Sequence, residues 1–105
     1  MDLVKILKNT YIHFGMVLSD FLRQNQLDEK KIKKTVNIDD ETIKILKDSP
    51  GSIIMTGHLG NWEYFLPIFG LNDIKFSIVA QAIKNSYLNN LFLKYRTFKN
   101  VQIIF

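Results

Sequence analysis

One histidine and one glutamate, His58 and Glu63, stand five residues apart around a glycine-rich turn, Gly57-His-Leu-Gly60-Asn-Trp-Glu63, directly after the apolar run Ile53-Ile-Met55. These two residue types can form a general base with an orienting partner. The carboxylate accepts a hydrogen bond from one ring nitrogen, fixes the tautomer and stabilises the imidazolium that forms when the other nitrogen takes a proton. A continuous helix would hold the two positions about 140° apart, so they can meet only across a turn. Gly57 and Gly60 permit sharp backbone geometry there. Ile53-Ile-Met55 then reads as a short buried strand, spanning residues 52–56 at most. Asn61 or Gly60 begins a helix running toward Phe69, with the histidine on the loop and the glutamate in the first helical turn.

The chain contains no cysteine, and no serine lies inside the turn. The nucleophile is therefore expected to be the substrate's own hydroxyl, which favours transfer to an acceptor alcohol over a covalent enzyme intermediate. Backbone N–H groups of Gly60 and its neighbours, at a helix N-terminus, would stabilise an oxyanion. Each part also has a plainer use. In an arbitrary sequence His58 would be a loop histidine bonded to a carbonyl, Glu63 a first-turn acid favouring the helix dipole, Asn61 a cap and Trp62 a packing residue. Two histidines and no cysteine argue against a catalytic zinc site. No Walker loop or dinucleotide fingerprint is present, and basic charge alone is a poor argument for nucleic acid, so no metal, organic cofactor or nucleic-acid partner is expected.

The string Gly57-His-Leu-Gly-Asn-Trp-Glu63 closely resembles the His-x4-Glu motif of the bacterial lipid A biosynthesis acyltransferases, the lauroyl and myristoyl transferases of lipopolysaccharide assembly. The wider glycerolipid acyltransferase superfamily carries His-x4-Asp at the same place, so the full string is similar to the lipid A branch in particular. Val79-Ala-Gln-Ala-Ile-Lys-Asn-Ser-Tyr-Leu88 resembles the family's following segment, which usually reads Val-x-Arg-Pro-Leu-Lys-Asn-Pro-x-Leu. Gln81 replaces the arginine there, and Ala82 and Ser86 replace the two prolines. Gln81 puts in doubt the phosphate or carboxylate contacts that an arginine could make there, while the other two are residues a loop tolerates. Arg96 falls where the family tends to keep an arginine, and only the resemblance makes it a candidate for binding phosphate or supporting Glu63.

The resemblance implies a glycerolipid-acyltransferase-like α/β domain. It also implies transfer of a fatty acyl group from an acyl carrier protein thioester to a hydroxyl of a lipid A precursor, at the cytoplasmic face of the bacterial inner membrane. His58 and Glu63 are the expected catalytic residues, and Gly60, Asn61 and Arg96 the expected substrate contacts. A different glycolipid or lysophospholipid acceptor, or an inactive remnant that only binds membranes, stays open. Family members are considerably longer than 105 residues and usually carry an N-terminal membrane anchor. The chain is therefore expected to be partial, beginning after the anchor or having lost it, and stopping at a core strand, residues 101–105, before the family's second half.

The elements that must position the motif follow from periodicity. Leu3, Ile6, Leu7, Tyr11, Phe14, Val17, Leu18 and Phe21 recur at helical spacing over residues 3–24, with Lys5, Lys8, Asp20 and Arg23 off the stripe. This amphipathic helix, the core of an N-terminal unit over residues 1–27, serves equally to pack on the domain or to lie on a membrane surface. The acyltransferase unit is expected over 28–105. It opens with the charged stretch 28–34, a solvated face or an attractor of anionic headgroups or of an acidic acyl carrier protein at a net charge of +4. A short strand is expected at 35–38, then a helix over 41–47 capped by Asp39 or Asp40, and a break at Pro50-Gly51. After the motif come a strand at 75–80, a helix from Ser86 to about Phe98 capped by Asn85, and the last strand. Strand, helix, strand, helix, strand is α/β order. No apolar run approaches the roughly 18 residues that span a bilayer, and Lys5 and Lys8 interrupt the early apolar stretch that a secretory signal would need.

Overall fold

The computed structural model describes residues 1–105 and shows a mixed α/β fold led by a long helix, α1, over Leu3–Arg23. Asp2 caps α1 by accepting from the Lys5 N–H at 3.1 Å, and Arg23 sits in its last turn, where a cation favours the helix dipole. A 3₁₀ turn, Gln24–Gln26, leads to α2 (Glu29–Thr35), and α3 follows at Asp40–Asp48. Both start on aspartates: Asp28 accepts from Lys31 N–H at 2.8 Å and Asp39 from Thr42 N–H at 2.7 Å. After a long connection come a 3₁₀ turn at Trp62–Tyr64, α4 at Phe65–Leu71, β1 at Phe76–Val79, α5 at Ser86–Tyr95 and β2 at Val101–Ile104. Asn85 caps α5, accepting from Leu88 N–H at 3.1 Å.

β1 and β2 pair in parallel, Phe76 opposite Val101 and Val79 opposite Ile104, with α5 as the crossover. Their side chains alternate, so Phe76, Ile78, Val101 and Ile103 face inward and Ser77, Val79, Gln102 and Ile104 face solvent. The core lies where α2, α4 and the turn into β1 converge, and Ile32, Ile68, Phe69 and Ile74 are its buried members. Phe69 stacks edge to face on Phe76 with centroids 4.5 Å apart, joining helix to sheet.

Gly70 is a close-approach position. A Cβ there would meet Phe98 Cβ at 2.8 Å and the Lys99 carbonyl oxygen at 3.0 Å. Gly70→Ala is expected to lose about 1–3 kcal/mol to overpacking. Urea unfolding measures this, and an unchanged midpoint would mean that the 97–100 turn yields freely.

Three expectations need correction. The charged stretch forms a helix through Thr35, and residues 36–38 form no strand. Asp28 supplies the cap, Glu29 and Lys33 pair at 2.9 Å one turn apart, and Ile32 anchors the helix in the core, so local interactions and one buried side chain outweigh a weak strand propensity. The expected strand at 52–56 is not formed: Ile53 and Met55 are 91% and 94% exposed, and no ladder partner lies beside them. A strand exists by pairing, and β1 pairs only with β2. Finally, α5 ends at Tyr95 instead of about Phe98, and Asn100, in the left-handed region at φ 67°, turns the chain into β2.

Candidate active site

The motif turn begins outside any regular element. Residues 51–60 are all exposed, including His58, whose ring meets Trp62 edge-on with centroids 4.8 Å apart. Gly60 takes φ 58°, a conformation in which a side chain is strained, and so reverses the chain just ahead of the 3₁₀ turn. Asn61 precedes that turn, and its carbonyl accepts from the Tyr64 N–H at 3.2 Å.

Glu63 behaves oppositely to His58. It points inward, is 9% exposed, and is held by both forks of Arg96, Nε donating to Oε2 at 3.1 Å and Nη2 to Oε1 at 2.5 Å. Arg96 stands at the C-terminal end of α5, where a cation suits the helix dipole. Its guanidinium lies over Phe92 and Phe21, 5.3 and 5.8 Å from the ring centroids, and those rings are themselves 5.0 Å apart. A buried carboxylate is tolerable only with such bidentate pairing, because desolvation penalises an unpaired charge.

The structure thus joins Glu63 to Arg96 across 33 residues, and no hydrogen bond or ion pair links His58 to Glu63. Gly60 and Asn61 lie on the backbone between them.

The second layer comes from α1, and sequence reasoning missed it. Asp20 accepts a hydrogen bond from Asn61 Nδ2 at 3.2 Å and another from Arg23 Nη2, also at 3.2 Å. Phe21 lies beneath Arg96, and fully buried Gln24 donates Nε2 to the Tyr95 carbonyl at 2.9 Å. The Tyr64 hydroxyl is pushed above the ordinary tyrosine range, first by burial and then by the charge of Asp20, with Arg23 opposing. In the sequence Asp20 registers only as a polar position off the apolar stripe, because its partner is 41 residues away. Phe21 and Gln24 carried a weak signal, both falling on the helix side that includes Val17.

An exposed histidine, a buried carboxylate clamped by arginine and a left-handed glycine between them thus stand in one motif. The model of the bacterial lipid A biosynthesis acyltransferase family matches residues 3–104, nearly the whole chain. The chain belongs to this family. Acyl transfer in lipid A biosynthesis is the family's chemistry, and it requires an acyl donor and a lipid acceptor. No curated protein and no solved structure matches the chain. No helix of this family member is long and apolar enough to cross a membrane. No group of three or more His, Cys, Asp or Glu side chains is placed to hold a metal ion.

Proposed function

We propose that this lipid A acyltransferase family member moves a fatty acyl group from an acyl carrier protein thioester to a hydroxyl of a lipid A precursor, with His58 as general base. His58 takes the hydroxyl proton as the oxygen attacks the thioester carbonyl. The tetrahedral oxyanion is met by backbone N–H groups around Gly60 and Asn61, and its collapse breaks the C–S bond while His58 returns the proton to the leaving thiolate. Glu63 orients His58 and balances its charge. Arg96 occupies two of the roughly four lone-pair sites of that carboxylate, leaving others for a ring N–H. Catalytic hydrogen bonds often tighten only around substrate, so an open His58 is compatible with this role.

The observation that carries this reading is the pairing of opposites inside one family motif: an exposed, accessible histidine five residues before a buried carboxylate that Arg96 holds in place. Arg96 as a support for Glu63 gains from the bidentate contact, whereas its role toward a substrate phosphate rests on the resemblance alone.

The exposed stripe Leu3, Leu7, Tyr11, Phe14 and Leu18 of α1, flanked by Lys5 and Lys8, supports attachment to an anionic bilayer at the cytoplasmic face of the inner membrane. The test is acyl transfer from acyl carrier protein thioester to a lipid A precursor presented in anionic vesicles, with the product identified by mass spectrometry. Acylated lipid A precursor supports the reading. Acylation of a lysophospholipid or another glycolipid instead would move the acceptor, and vesicle binding with no acyl transfer to any acceptor would make the chain a membrane-binding module.

A further inference from the structure

The connection that carries His58 is almost free of the rest of the protein. From Ile53 to Gly60 every residue is exposed, and the hydrogen bonds made there are local, Thr56 and Leu59 both bonding to the Gly57 carbonyl. The first hydrogen bond from the motif turn to another element is that from Asn61 Nδ2 to Asp20 Oδ2, 41 residues away on α1. It sits one residue after the left-handed Gly60 and two before Glu63.

This bond also sets the polarity of the Asn61 amide. An ionised carboxylate only accepts, so the amide edge facing Asp20 must be the NH₂ group, and the carbonyl oxygen is turned the other way. That oxygen, Asn61 Oδ1, is buried and has no partner. A buried amide oxygen without a donor is a costly arrangement that a protein keeps when something else makes it useful.

We infer that Asp20 is a positioning residue for the acyl-transfer centre: through Asn61 it ties the His58-bearing turn to α1. Asp20 stays anchored by Arg23, and the neighbouring Phe21 of α1 and Gln24 of the 3₁₀ turn that follows it hold Arg96 and the end of α5. One helix face therefore sets both the turn that carries the base and the arginine that holds its carboxylate. The α1 helix is thereby part of the catalytic scaffold as well as the element that offers an apolar stripe to lipid. This inference rests on the function proposed above, and its test has an arm independent of activity.

Trp62 is the one tryptophan in the chain and lies beside Asn61, so its fluorescence reports on the turn directly. In Asp20→Ala, acrylamide quenching and depolarisation of Trp62 emission are expected to rise while far-UV circular dichroism is unchanged. Acyl transfer is expected to fall in kcat by roughly 10- to 100-fold, the scale of a modest misplacement of reacting groups, with the KM for the acyl donor held. The exchange Asp20→Asn with Asn61→Asp restores a hydrogen bond with donor and acceptor reversed, and it is expected to recover the Trp62 signal. Unaltered Trp62 quenching in Asp20→Ala, or a kcat equal to that of the unmutated chain, would overturn the inference. If the unmutated chain transfers no acyl group to any acceptor, the proposed function fails, and the Trp62 arm still decides whether Asp20 holds the turn.

Discussion

His58→Ala is expected to reduce acyl transfer by about 10²- to 10⁴-fold, the usual worth of a positioned general base, and to leave stability unchanged. The two halves of that expectation come from one observation. His58 is exposed and bonded to nothing, and its contact is the edge of Trp62, so the fold loses little when the ring is removed. Surface substitutions of this kind usually stay within about 0.5 kcal/mol. Steady-state acyl transfer alongside urea unfolding measures both quantities on the same preparations. A large loss of stability would show that the turn is built on the imidazole, and retained transfer would remove His58 from the proposed mechanism.

The reverse pattern is expected at Arg96. Arg96→Ala leaves the Glu63 carboxylate, whose side chain is 10% exposed, without a counter-charge, and removing one member of a buried pair costs about 3–5 kcal/mol. That is a large part of the roughly 5–15 kcal/mol that holds an ordinary domain folded. Arg96→Lys is expected to recover only part of the loss, because an ammonium cannot bond both carboxylate oxygens in the fork geometry that Nε and Nη2 use here. Adding Glu63→Gln to Arg96→Ala separates the two causes. If the penalty is the stranded charge, the double variant regains much of the stability. If it stays as unstable as Arg96→Ala, the contact of the guanidinium with Phe21 and Phe92 is what matters. Equilibrium urea unfolding of the four proteins decides it.

The catalytic expectations for the two positions meet at Glu63. Its orientation is set from behind by Arg96, so Arg96→Lys is expected to depress transfer more than its stability loss accounts for, whereas His58→Ala depresses transfer alone.

Much of the local structure was legible in the residues. The amphipathic spacing from Leu3 to Phe21 produced α1 almost to the residue, and Asp39 and Asn85 cap the helices assigned to them, because capping is decided within three or four positions of chain. The alternating 75–80 and 101–105 segments became β1 and β2, since half-buried parallel strands need apolar side chains on one face. The 52–56 segment shows where this reading stops. It has strand composition, but composition specifies a tendency to pair and not the partner, and none stands beside it.

By itself the sequence determined α1, α3 and the start of α5, the caps Asp39 and Asn85, the motif His58-Leu-Gly-Asn-Trp-Glu63 and the family that the motif marks, because each of these is set by local spacing along the chain. Only the tertiary structure decided that Glu63 faces Arg96, that the guanidinium lies over Phe21 and Phe92, and that Asp20 holds Asn61. Two of them, Glu63 with Arg96 and Asp20 with Asn61, join residues 33 and 41 positions apart. They arise when helices pack and exclude water, which turns a carboxylate and an arginine that would each be solvated in the free chain into a pair that neither can leave without stranding a charge.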